Sequence, residues 1–360
     1  MHKTRIGILD GFRAIAITGV LLFHFFSRDD FPYPYQNKFD YFSQGKFGVQ
    51  FFFIISGFVI FYTLENTSSL LGFYKKRLIR LYPSAIIAST LTLVTLLILT
   101  NAKPVDTLIQ YLTSLSLIGP NLLNFFFSPD EKIFNYIDGA LWSIWPEIQF
   151  YIIAGALFFF SRANFIRNFI LLSLFAVGLF WLNSNINGAN FFKLNPNNFL
   201  FSNLNSFIGI FNLLNFIQYF TIGAIFYELF KLKNKGLKAP LFLILSILIF
   251  VLIQIYFSIY INARITNVCM IILFVCFVYF PASLKMIDNR LFNKIGVSSY
   301  FLYLIHQNVG VILIERFGNY FFANTCFFTV LLIIIFIIIS IVYTNWVEIP
   351  VIKRLKKSIN

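Results

Sequence analysis

Charged residues are scarce in this sequence, and acidic residues are the scarcest of them. Only 12% of the 360 residues are charged, with 14 acidic residues against 28 lysines and arginines. Soluble domains carry about a quarter charged residues, so this deficit excludes an ordinary globular protein. Apolar runs of about 20 residues recur along the chain instead, which indicates a protein that crosses a membrane several times.

Cysteine and histidine are also rare, at three residues each. The cysteines lie in apolar segments without metal-ligand spacing, and we therefore expect neither a metal site nor a redox role for them. Two of the histidines, His24 and His306, lie inside apolar runs. An ionisable side chain within a membrane span is costly, so both are candidate functional residues.

The apolar runs predict an all-α, polytopic membrane bundle of ten spans. They lie at about 8–27, 47–64, 84–101, 140–160, 165–183, 207–230, 239–260, 265–280, 298–315 and 325–346. The segment 107–127 is apolar enough for a re-entrant or interfacial helix. We expect one membrane domain over residues 1–350 and a basic cytoplasmic tail over 351–360.

The distribution of positive charge predicts the orientation of these spans. About two thirds of the 28 lysines and arginines lie in alternate loops, on the side that also holds both termini. Positive residues favour the cytoplasmic side, so both termini are expected in the cytoplasm and the bundle in the plasma membrane. The net charge of +14 then reflects topology and membrane lipid, and no nucleic-acid partner is expected.

The first span carries an acid, a base and an imidazole. Asp10 and Arg13 are i,i+3 neighbours and can form a pair. At about 100° per residue, Arg13 and His24 lie roughly 20° apart on a helical wheel. The helix rises about 16 Å between them. We therefore expect a polar line that runs from one membrane surface to beyond the middle of the bilayer.

Two arginines at the predicted cytoplasmic face are candidates for phosphate binding. Arg77 and Arg80 are i,i+3 neighbours, a spacing that lets two guanidinium groups bind phosphates together. The alternative is that they anchor the helix to lipid headgroups.

Three polar residues of the fourth span recur at i,i+4 and line one stripe: Ser143, Glu147 and Tyr151. Pro146 would kink this helix if Trp142 were already helical. The carboxylate could form the wall of a site, or it could be paired with an arginine such as Arg13. In the ninth span, Ser299, Tyr303 and His306 share a face, and a joint site of His306 with His24 is one interpretation. The other is that His306 is a hydrogen-bonded core residue.

Five blocks in order resemble the motifs of integral-membrane acyltransferase family 3, whose members O-acylate cell-surface glycans. The blocks are R-x4-D-G-x-R…H from Arg5 to His24, G-V-x-x-F-F-x-x-S-G-F at 48–58, R-x-x-R-x-x-P at 77–83, L-W-S-x-x-x-E-x-Q-F-Y at 141–151 and S-Y-x-L-Y-L-x-H at 299–306. The closing segment 347–350 resembles the terminal E-x-P of that family.

The resemblance implies ten core helices, a cytosolic acyl-coenzyme A donor and an acceptor on the far side of the membrane. His24 would be the essential histidine and Arg13 its partner in the first span, while Arg77 and Arg80 would bind the donor. Glu147 would be the functional acid. We expect Asp10, Ser143, Tyr151 and Tyr303 to support these residues.

The expected reaction moves an acyl group, taken to be acetyl, from acetyl-CoA to a hydroxyl of a surface glycan or lipid-linked oligosaccharide. His24 would act as general base, with Glu147 or His306 orienting it or stabilising developing charge. No bound cofactor is expected beyond this donor substrate. Transporters or flippases of lipid-linked saccharides also hide ionisable residues in their spans and are the rival class. A glycan polymerase is a third possibility.

Overall fold

The computed structural model describes residues 6–27, 39–187, 206–257, 261–318, 320 and 325–357. Within these ranges the chain is almost entirely helical. The helices are α1 (Gly7–Leu22), α2 (Gly48–Glu65), α3 (Leu70–Leu99), α4 (Pro104–Ser116), α5 (Pro120–Phe127), α6 (Ile144–Phe160), α7 (Phe165–Asn187), α8 (Ile217–Asn234), α9 (Leu241–Phe257), α10 (Ile261–Tyr279), α11 (Arg290–His306), α12 (Asn308–Phe317), α13 (Phe327–Tyr343) and α14 (Ile349–Lys357).

Helix α1 is the centre of the bundle and packs against α2 and α11, while α2 packs along α8. Small residues permit these close approaches, as is common between membrane helices. A side chain at Gly296 of α11 would collide with the backbone of Asp10 in α1. A side chain at Gly57 of α2 would collide with the backbone of Phe220 in α8. The residues that border the site therefore lie on helices in backbone contact.

Six helical segments of the described chain are long and apolar enough to cross a membrane, or seven if the bent pair α11 and α12 counts as one span. Two shorter apolar helices lie at Phe165–Phe180 and Leu241–Tyr256. The chain is thus a multi-pass, all-helical membrane protein. Within the described ranges, each of the ten expected spans falls on mostly helical structure, but the count of ten and the orientation of the termini remain predictions.

Several helix boundaries differ from those expected from hydropathy. Helix α3 begins at Leu70 and continues through Pro83, whereas the span was expected to begin at about residue 84. The ninth span is broken: α11 ends at His306, and α12 continues from Asn308 at an angle of 61°. The segment 107–127 forms two helices, α4 and α5, rather than one.

Pro146 does not kink the fourth span. Trp142 lies in a 3₁₀ turn, Gly139–Ser143, and α6 begins only at Ile144. Proline is tolerated in the first turn of a helix because the N–H that it lacks has no intrahelical partner there. The 3₁₀ turn thus removes the expected conflict.

Candidate active site

A cavity of about 460 Å³ opens between α1, α2, α3, α6 and α11. It brings together most of the polar residues expected at the site. These are Asp10, Arg13, Arg77, Arg80, Ser143, Glu147, Tyr151 and Tyr303. Ser56, Lys76, Ser299, Tyr300 and Lys356 also line it. Residues from five separate sequence blocks therefore border one space.

Asp10 and Arg13 form the expected pair on α1. Arg13 Nη1 donates to Asp10 Oδ1 at 2.7 Å. Asp10 is only 2% exposed, while the Arg13 side chain is 28% exposed. The neighbouring carboxylate stabilises the guanidinium charge at the cavity wall through a charge-assisted hydrogen bond.

Arg77 and Arg80 line the same cavity but have different partners. The guanidinium of Arg77 lies over the rings of Phe73 and Tyr151, with its Cζ 5.7 and 6.0 Å from their centroids. The guanidinium of Arg80 lies over the ring of Tyr300, at 5.4 Å. Aromatic faces attract cations and hold these groups in place. The two arginines do not form one symmetric pair.

Arg80 forms an ion pair with Glu348, at the end of the chain. Glu348 lies in the π-helical turn Thr344–Glu348, is 0% exposed and also accepts a hydrogen bond from the Thr344 hydroxyl at 3.0 Å. The Glu348 carboxylate orients the Arg80 guanidinium and offsets its positive charge. An anion that binds Arg80 must share the guanidinium with Glu348.

Glu147 lies in the first turn of α6, where the helix dipole favours a negative charge. It accepts hydrogen bonds from the hydroxyls of Ser56 at 2.8 Å and Tyr151 at 2.6 Å. Arg13 pairs with Asp10, and no ion pair of Glu147 with an arginine occurs among the described residues. Glu147 is therefore a hydrogen-bonded carboxylate in the cavity wall.

His24 and His306 lie together, but they do not border this cavity among its described lining residues. Their ring centroids are 4.9 Å apart in an edge-to-face arrangement. His306 is 0% exposed, and its Nδ1 lies 2.5 Å from the carbonyl oxygen of Tyr303. As the oxygen can only accept, this contact makes Nδ1 the donor and leaves Nε2 as the ring nitrogen for other chemistry.

Tyr303 connects the cavity with the histidine pair. Its ring lines the cavity and lies 5.3 Å from the ring of His306 and 6.1 Å from that of Phe52. His24 lies in a π-helical turn, Phe23–Ser27, a local widening of the helix that is frequent at functional sites. The histidines thus lie next to the cavity, with His306 against Tyr303 of its lining.

Two residues of the cavity lining, Ser56 and Tyr300, and the partner of Arg80, Glu348, were not expected at the site from the sequence. The sequence shows all three only as members of the motif blocks and of the closing segment 347–350. Glu348 is 268 positions from Arg80, so no local spacing could reveal their pair. The signal that was available for Glu348 was a carboxylate at the end of an apolar span. No group of three or more metal-binding side chains occurs in the ranges that the structure describes.

Fold and cavity together define a multi-pass membrane protein whose charged cavity lies next to a pair of histidines. A family model described as "Acyltransferase domain" matches residues 6–344. The chain belongs to this acyltransferase family, which confirms the resemblance drawn from its motifs.

Two similar proteins have names that state an activity. The O-acetyltransferase OatA of Staphylococcus aureus strain NCTC 8325 is 29% identical over 199 residues, which cover 51% of this chain and 30% of that protein. An O-acetyl transferase of Shigella phage Sf6 is 30% identical over 162 residues, 43% of this chain and 46% of that protein. The matches thus span less than half of either relative. No solved structure matches the chain significantly.

Proposed function

We propose that the chain is a membrane O-acetyltransferase that moves an acetyl group from cytosolic acetyl-CoA to a hydroxyl of a surface or lipid-linked glycan. The observation that carries the proposal is the cavity itself. It unites Arg13, Arg77 and Arg80 with Glu147 and Tyr303, and Tyr303 lies beside His306, which in turn lies beside His24. The names of the two O-acetyl-transferring relatives support the choice of acetyl and of an oxygen acceptor.

The donor would enter from the end of the cavity that holds the positive charges. Arg77, Arg80 and Lys76 lie on α3 and Lys356 on α14, and all of them line the cavity. Arginine and lysine bind phosphate through charge-assisted hydrogen bonds, which suits the phosphates of coenzyme A. The thin pantetheine arm would then follow the Asp10–Arg13 wall towards Ser56 and Ser143.

Acyl transfer would take place at the Tyr303 end of the cavity. The acceptor hydroxyl loses its proton to His24, the general base, and its oxygen attacks the thioester carbonyl carbon. The C–S bond breaks, and the leaving thiolate takes up a proton from the imidazolium. His306 stabilises the charge that develops. The carboxylate of Glu147 accepts hydrogen bonds from Ser56 and Tyr151 and would interact with the acyl donor.

The direction of transfer follows from the predicted topology. Both termini and the Arg77–Arg80 face would be cytoplasmic, and the acceptor would approach the histidines from the outer side of the plasma membrane. The polar path through α1 would then let acyl groups cross without the whole donor crossing. A transporter of lipid-linked saccharides would need no acyl donor, and this difference separates the two classes experimentally.

The test is binding and turnover of labelled acetyl-CoA by the purified full-length protein. Arg77→Ala with Arg80→Ala should weaken acetyl-CoA binding at least tenfold, since charged hydrogen bonds contribute about 1.5–3 kcal/mol each. Lysine at both positions should restore binding only in part, because the planar fork is lost.

The matched control is Lys75→Ala, which removes an exposed positive charge from the same helix without touching the cavity. This variant should bind acetyl-CoA like the wild type. Equal affinity in the double arginine variant would contradict the donor site and favour the lipid-anchor role. Failure of the wild type to bind acetyl-CoA or to release coenzyme A would contradict the proposed reaction.

A further inference from the structure

A second cavity, of about 290 Å³, lies on the other side of α11. It is an open cavity, lined by the first turns of α11, the end of α13 and the π-helical turn that follows. Its polar lining consists of Arg290, Asn293, Lys294, Ser298, Thr344 and Asn345. Val297 borders both this cavity and the larger one, so a single helix separates the two.

The second cavity has a net positive lining. Arg290 and Lys294 belong to none of the ion pairs formed among the described residues. The nearby carboxylate of Asp288 accepts a hydrogen bond from the Asn293 amide at 2.9 Å. Two cations that no carboxylate neutralises, in a cavity with amide and hydroxyl groups, suit an anion such as a phosphate.

The cavity lies at the level expected for lipid headgroups. The ninth span was expected to begin at about residue 298 and the tenth to end at about residue 346, and these two positions flank the cavity. Trp346 is 80% exposed, and an exposed tryptophan at the end of a span is typical of the membrane–water interface.

An apolar surface continues directly from the cavity along α13. Ile341 lines the cavity, and Ile334, Ile338 and Val342 on the same helix are exposed. A free phosphate would use only the polar part of this surface. A phospholipid would use both, with its headgroup in the cavity and its acyl chains along α13.

We infer that this second cavity is a binding site for the phosphate headgroup of an anionic phospholipid. Basic pockets between membrane helices on the cytoplasmic side bind such headgroups. Arg290 and Lys294 supply the charge, the Asn345 amide supplies a further donor, and α13 supplies the apolar contact. The inference depends neither on the acyl donor nor on the transfer reaction.

The test is retention of phosphatidylglycerol compared with phosphatidylcholine, measured by native mass spectrometry of the full-length protein released from detergent. The protein should retain phosphatidylglycerol at lipid concentrations at least tenfold lower than those needed for phosphatidylcholine. Arg290→Ala with Lys294→Ala should reduce this preference at least fivefold. Lys235→Ala with Lys238→Ala removes two charges from an exposed loop, and this control should keep the preference.

Further arms decide between the possible ligands. Equal retention of the two lipids by the wild type, or an unchanged preference in the Arg290/Lys294 variant, would overturn the site. Binding of adenosine 3′,5′-bisphosphate that depends on Arg290 and Lys294, without phosphatidylglycerol binding, would assign the cavity to a nucleotide phosphate instead. Should the double alanine variant not fold, Arg290→Gln with Lys294→Gln keeps polar side chains without the charge and must show the same loss of preference.

Discussion

The contact between α2 and α8 gives the most quantitative prediction about the fold. A Cβ atom added to Gly57 would lie 3.0 Å from Phe220 Cα and closer still to the carbonyl oxygen of that residue. The relation is reciprocal, because a Cβ atom at Gly223 would meet the backbone of Ile54 and would lie 2.8 Å from Phe58 N. Carbon atoms prefer separations of about 3.5–4.0 Å. Gly57→Ala must therefore push the two helices apart.

The expected cost of Gly57→Ala is about 1–3 kcal/mol from overpacking, reduced by up to about 1 kcal/mol because alanine favours helices. Gly178→Ala on α7 is the matched control, since nothing lies within 4 Å of a Cβ atom there. That variant gains the helix propensity without the clash. The difference in free energy of unfolding between the two variants therefore measures the cost of the clash between α2 and α8, which we expect to be about 2 kcal/mol.

The assay is thermal unfolding of both variants and the wild type in the same detergent. Gly57→Ala should unfold at a clearly lower temperature than Gly178→Ala, which should match or exceed the wild type. Turnover per folded molecule should also fall for Gly57→Ala, because the neighbouring Ser56 hydroxyl would move away from Glu147. Equal unfolding temperatures for the two alanine variants would refute the backbone contact between α2 and α8.

Three further predictions concern the cavity and the topology. Tyr151→Phe and Ser56→Ala each remove one hydrogen-bond donor to Glu147. Each variant should lower turnover about three- to tenfold, as expected for about 0.5–1.5 kcal/mol per hydrogen bond. Unchanged turnover in both variants would show that Glu147 has no role in the reaction. Glu348→Gln leaves Arg80 without its carboxylate and should destabilise the protein by about 1–3 kcal/mol in denaturation, whereas wild-type stability would contradict a stabilising Arg80–Glu348 pair. A single cysteine at Asp130 should react with an impermeant maleimide in intact cells and one at Lys235 should not, and the reverse pattern would invert the topology.

Local patterns in the sequence predicted the parts of the site that lie on one helix. The pair of Asp10 with Arg13 follows from i,i+3 spacing alone. The stripe that contains Glu147 and Tyr151 follows in the same way from i,i+4 spacing. Apolar run lengths also located the helical segments, because a membrane-spanning helix needs about 20 apolar residues.

Long-range pairs and helix irregularities could not be predicted. The pair of Arg80 with Glu348 joins distant segments, and spacing carries no information on such a contact. The break after His306 lies in a segment that is apolar on both sides, so hydropathy does not register it. The π-helical turn that contains His24 shifts the register of α1, which a helical wheel of fixed 100° steps cannot represent.

The central claim is that His24 removes a proton during acetyl transfer. The most direct measurement is turnover per folded molecule with labelled acetyl-CoA and a glycan acceptor, comparing His24→Gln with the wild type in the same detergent. Glutamine forms hydrogen bonds but takes up no proton at neutral pH, so turnover should fall by about 10²–10⁴-fold while the unfolding temperature stays close to that of the wild type. The loss of a general base costs more than tenfold in rate, about 10²–10⁴-fold. A His24→Gln protein that retains about a tenth or more of wild-type turnover would therefore contradict the claim.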